Sequence, residues 1–84
     1  MVIMMKTLYE ILAFDDNADG EAYLADIEYV QGIKKALFVA YKSATRYDHV
    51  CIVHADAFAT DGPLTFREAA PYSIIIEIGH WHEL

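Results

Sequence analysis

"EAYLADIEYVQGIKKALFVAYKSATR", residues 21–46, is the stretch whose reading decides the fold. With a period of two, its first part puts Tyr23, Ala25, Ile27 and Tyr29 on one face. Asp26 and Glu28 take the other, beside Leu24 and Val30. That is the pattern of a half-buried strand. The same residues are also good helix formers that Asp19 can cap, which makes 20–45 one broken helix. The tyrosines, Ile27 and Val30 favour the strand, with the broken helix as competitor. Beyond Gly32 the period changes. Ile33, Leu37, Ala40, Tyr41 and Ala44 follow helical spacing, Lys34, Lys35 and Lys42 fall off that stripe, and Gly32 reads as a cap or hinge.

Working outward, "TLYEILAF" (7–14) alternates Thr7, Tyr9, Ile11 and Ala13 with Leu8, Glu10, Leu12 and Phe14, as a strand does. "DDNADG" then becomes a hairpin loop. "YDHVCIVHADAF" (47–58) returns to strand character around Val50, Ile52 and Val53, and "DGP" (61–63) is a turn. "TFRE" (65–68) has capping-box spacing for a short helix ended by Pro71. "YSIIIEIGHW" (72–81) sets Tyr72, Ile74, Ile76 and Ile78 on one strand face and Ser73, Ile75, Glu77 and Gly79 on the other. The order β-β-α-β-β predicts an α+β fold in one small domain, 1–84. Its antiparallel sheet has about four strands, with one main helix packed on one face.

Composition narrows the classes. Hydrophobic residues are 56% of the chain, which excludes a disordered acidic tail. Cys51 is the one cysteine, so neither an intramolecular disulfide nor a cysteine-rich zinc site is available, which suits a reducing cytoplasm. "MVIMMK" lacks the basic start and long apolar run of a signal peptide, and no run has a membrane helix's length. The expected location is therefore cytoplasmic. The formal net charge is −7. Such a chain repels nucleic acid and is drawn to basic surfaces. Residues 15–28 hold Asp15, Asp16, Asp19, Glu21, Asp26 and Glu28 without a Lys or Arg; residues 31–46 hold Lys34, Lys35, Lys42 and Arg46 without an Asp or Glu. The plain reading is two solvated faces. The sharper one is an acidic docking edge.

Two constellations could hold metal. In "FDDNADGEAYLAD" (14–26), Asp15, Asn17 and Asp19 alternate, Gly20 follows, the Glu21 carbonyl is in place, and Asp26 closes the run. Calcium takes about six to eight oxygens from such a loop. The segment resembles an EF-hand loop, and its closing Asp a dockerin loop. The apolar position is Ala22, however, Asp26 is shorter than the usual Glu, and the flanks alternate as strands. A hairpin turn made of Asp, Asn and Gly is the expected reading. The second constellation is histidine. Opposing Asp56 to Ser73 across the last two strands also opposes His49 to His80, with His82 on the same face, and zinc accepts three imidazoles. Strand-end histidines bonded to backbone are the commoner case. Glu77 falls on the other face from His80, Cys51 reads as core, and Ser43 and Ser73 have no evident triad. Neither a phosphate-binding glycine loop nor a catalytic constellation is present.

The expectation is a non-enzymatic binding protein with no cofactor, a basic protein partner, no direct nucleic acid and no membrane. Metal binding at 15–26 or at His49, His80 and His82 is the alternative. The β-β-α-β-β layout resembles several small phage-encoded anti-CRISPR proteins over most of the chain. That resemblance implies a viral inhibitor in the host cytoplasm, acting on a CRISPR-Cas or other nucleic-acid-handling complex. As a DNA mimic it would set its acids against Lys and Arg that normally hold phosphate. Pairing of an exposed edge strand with a second copy stays open.

Overall fold

The computed structural model describes residues 6–58 and 62–77. Along the chain come β1 (Leu8–Asp16), β2 (Ala22–Gln31), α1 (Ile33–Ala44), β3 (His49–His54), α2 (Phe66–Ala69), a 3-10 turn (Ala70–Tyr72) and β4 (Ile74–Ile76). The strands form one antiparallel sheet in the order β2-β1-β3-β4. The α+β class and the hairpin reading of 21–31 hold. The chain turns from β2 into α1 at Gly32, whose φ of 87° favours a residue without a Cβ. α1 then carries it across β1, so β2 and β3 flank that strand.

Both faces of the central strands are covered, where the sequence pattern anticipates one. Tyr9, Ile11, Ala13, Val50, Ile52 and Ile76 lie against α1. Leu12, Phe14, Cys51 and Val53 are buried on the opposite face by Ala69, Phe58 and Phe66. This explains why Ile11 through Phe14 are all buried although they alternate faces. The second cover depends on α2, a single turn. Its capping box is complete: Thr65 Oγ1 accepts from the Glu68 amide at 3.3 Å, and Glu68 Oε1 accepts from the Thr65 amide at 3.0 Å. Thr65→Ala should cost about 1 kcal/mol, measurable by urea denaturation. The hydroxyl and backbone donors around Glu68 hold its carboxyl below the usual range. That contribution is present above the unfolded carboxylate pKa and fades as pH falls through the folded one. The Thr65→Ala deficit should therefore shrink in acid.

Three expectations are corrected. In β2, pairing slips between Ala13/Phe14 so that Phe14 faces Leu24 while Ala13 faces Asp26. Ala25 is the extra residue of a bulge, and parity reverses there. Leu24 thus joins the α2 face with Ile27 and Tyr29, while Tyr23 moves to the α1 face with Asp26, Glu28 and Val30. Tyr23 and Tyr29, which strict alternation sets together on the apolar face of a half-buried strand, are exposed. In α1 the buried stripe is Ala36, Ala40 and Ser43, while Ile33 and Tyr41 are exposed. Small side chains meet the sheet, and the larger ones spread around the contact. In β4, Val50 faces Ile76, whereas opposing Asp56 to Ser73 would have set Val50 against Gly79. The strand starts only at Ile74, because Pro71 and Tyr72 lie in the 3-10 turn. Residues 78–81 of the expected strand lie outside the described residues.

Candidate functional site

The β1–β2 ladder runs through Asp16↔Ala22, leaving only residues 17–21 as the hairpin loop. Gly20 has a φ of 84° and its amide donates to the Asn17 carbonyl at 3.0 Å. Asn17 Oδ1 accepts from the Ala18 amide at 2.8 Å. Asp19 accepts from the Glu21 amide at 2.9 Å and from the Tyr23 hydroxyl at 2.7 Å. Those two donors hold the Asp19 carboxyl below its ordinary range, with Tyr23 contributing most. In return Asp19 raises the Tyr23 phenol.

This geometry pulls the calcium pattern apart. Asp26 sits opposite Ala13 inside the ladder, beyond the bulge, and does not close the loop. Asp15, Asn17, Asp19, Glu21 and Asp26 form no metal-holding group, and among the described residues no three His, Cys, Asp or Glu side chains do. The oxygens of Asn17 and Asp19 accept from local donors, which is how such residues stabilise turns. The register that would bring His49 to His80 is three residues from the one found. His80 and His82 lie outside the described residues.

The six candidate docking acids divide into two groups. Asp16, Asp19 and Glu21 serve the fold, Asp19 by accepting from the Glu21 amide and the Tyr23 hydroxyl inside the hairpin. His49 Nε2 donates to Asp16 Oδ1 at 2.8 Å, and Arg67 reaches Glu21 Oε2 at 3.2 Å. The His49 ring also stacks on Phe66 at 4.6 Å between centroids, so one cleft of about 370 Å³ gathers Asp16, Glu21, His49, Phe66 and Arg67. Asp48 completes this end. Its carboxylate accepts from the Asp16 amide at 2.8 Å, and its own amide donates to Asp15 at 3.2 Å. The sequence reading missed this Asp15–Asp16–Asp48–His49 cluster. Its two halves are more than thirty residues apart and meet through the β1–β3 pairing, whose one local signal is the "DH" at the start of β3. A His–Asp pair can move protons, but among the described residues the cleft lining contributes no hydroxyl or thiol to act with it. Cys51 is buried on the same sheet face, and burial pushes its thiol up to about 11, so it is protonated and inert at neutral pH.

Asp15, Asp26 and Glu28 form the second group. All three lie on the α1 side of the sheet, toward its β2 edge, and none makes an ion pair among the described residues. The cations lie elsewhere. Lys6, Lys34 and Lys35 line a cleft of about 700 Å³ with Tyr9 and Gln31, at the junction of β1, β2 and α1. Half of the chain's six Lys and Arg residues collect there, at the Gln31 end of β2, and none of them forms an ion pair with Asp26 or Glu28. On the other side of the same strand, Ile27 and Tyr29 are 40% and 63% exposed, and Tyr29 pairs with Glu10.

Glu10 carries a pH signature. Burial raises its carboxyl above the ordinary value. A raised acid contributes stability that is full below the unfolded pKa and is lost as pH rises through the folded one. Glu10→Gln should therefore raise the melting temperature at neutral pH, and the gain should vanish near pH ~4. Paired thermal melts at the two pH values check this.

No family model, curated protein or solved structure matches this chain. No helix of the described residues is long and apolar enough to cross a membrane.

Proposed function

We propose that this chain is a non-enzymatic protein-binding module that docks a basic partner through the acidic β2 edge. The observation that carries the reading is the set Asp15, Asp26 and Glu28, on one side of the sheet and without an intramolecular cation among the described residues. Carboxylates left so impose little desolvation cost until a partner supplies Lys or Arg, and they steer its approach. Exposed Tyr29 and Ile27 on the reverse side of the same strand add apolar area. Relative to the sequence reading, Asp16, Asp19 and Glu21 leave the docking set, because His49, Tyr23 and Arg67 already engage them.

The narrower form of the proposal is an inhibitor, phage-encoded and of anti-CRISPR type, that occupies the phosphate-binding surface of a nucleic-acid-handling complex as a DNA mimic. The test is competition. Purified CRISPR effector complexes and other nucleic-acid-binding proteins are loaded with labelled duplex and titrated with the chain. Wild type should release the label from its target, less so as salt rises, and the Asp15→Lys, Asp26→Lys, Glu28→Lys variant should not. Equal competition by that variant, or no release from any complex, would count against the proposal.

A further inference from the structure

We infer that β2 accepts an extended peptide of alternating basic and apolar residues as a fifth, antiparallel strand. The inference rests on the docking proposal above and specifies the partner's chemistry.

β2 is the terminal strand of the sheet, and it is long, at ten residues. Its outer edge already takes a partner at one end. The Leu24 amide donates to the Leu64 carbonyl at 2.9 Å, and Tyr23 forms an antiparallel bridge with Thr65. From Ala25 to Gln31 no other described segment continues that pairing. The chain's own segment thus marks the direction in which an added strand runs, and the edge beyond it is a ready template.

Side-chain alternation sets the composition of the added strand. Residues opposite Asp26 and Glu28 point to the α1 side, and residues opposite Ile27 and Tyr29 to the other. Directly opposed opposite charges stabilise a pair, and like charges destabilise it. A segment reading basic, apolar, basic, apolar therefore satisfies both sides at once. A second copy of the chain brings its own Asp26 and Glu28 to the junction, so self-pairing meets repulsion. An acidic peptide meets the same obstacle.

The test uses the whole chain and three capped, dye-labelled peptides: Lys-Val-Lys-Val-Lys, its Glu-for-Lys counterpart, and the lysine peptide with alternate backbone nitrogens methylated to remove one edge's donors. Anisotropy should detect binding of the first peptide only, and amide NMR shifts should fall on residues 26–31. The Asp26→Lys, Glu28→Lys variant should bind the lysine peptide about tenfold or more weakly and should take the glutamate peptide instead. That gain also shows that the variant is folded. Equal binding of the methylated peptide would overturn strand addition while leaving face docking, and the function proposed above, intact. Failure of the lysine peptide on a chain that still displaces duplex would likewise sink only this inference. A wild-type dimer in sedimentation that the double variant abolishes would assign the edge to a second copy and overturn it too.

Discussion

Phe14→Ala should lower the unfolding free energy by about 3–5 kcal/mol, a large share of the roughly 5–15 kcal/mol that holds a small domain. Phe14 is fully buried, its ring lies 5.7 Å from Phe66, and it faces Leu24 across the β1–β2 ladder. Truncation empties the space under α2, and a one-turn helix has few other contacts with which to close it. The urea midpoint should fall steeply with little change in the slope of the transition. A loss below about 1 kcal/mol would show that the 62–73 segment collapses into the gap, and that the second face is not a close-packed layer.

Ala40→Leu should cost about 1–3 kcal/mol, from the opposite fault. Ala36 and Ala40 are fully buried where α1 lies on β1 and β3. A longer side chain there must push the helix away from Ile11, Val50 and Ile52 or force strained rotamers. Phe38 supplies the control. It is 65% exposed, so Phe38→Ala should change stability by no more than about 0.5 kcal/mol despite removing a much larger group. Equilibrium urea denaturation of the two variants side by side checks the contrast. Similar losses would mean that the buried stripe of α1 is not the alanine face.

The two faults show which links of the fold were legible. The change of period at Gly32 is local, so the strand-to-helix switch could be read from residues 21–46 alone. The Thr65/Glu68 box was legible for the same reason, since its partners are three residues apart. The stripe of α1 was not. Leu37, Phe38, Val39, Ala40 and Tyr41 leave the helix apolar over much of its circumference, and only the distance to the sheet selects small residues for the contact. The docking acids show the same division. Their charge is visible in composition, but which of them are already engaged depends on His49 and Arg67, brought in by β3 and α2.

By itself the sequence determined the α+β class, the element order, the hairpin at 14–26 and the acidic character of the second strand. These follow from local periodicity and turn chemistry, which act over a few residues. Only the tertiary structure decided the rest. The Ala25 bulge reversed the faces of β2, because the ladder must keep Phe14 opposite Leu24 in the α2-side core and Tyr9 opposite Val30 in the α1-side core. A one-residue shift in parity carries every later side chain to the other face. It moved Leu24 and Tyr23 to opposite sides, left Tyr23 and Tyr29 in solvent, and kept Asp26 and Glu28 on the side of the sheet where Asp15 also projects.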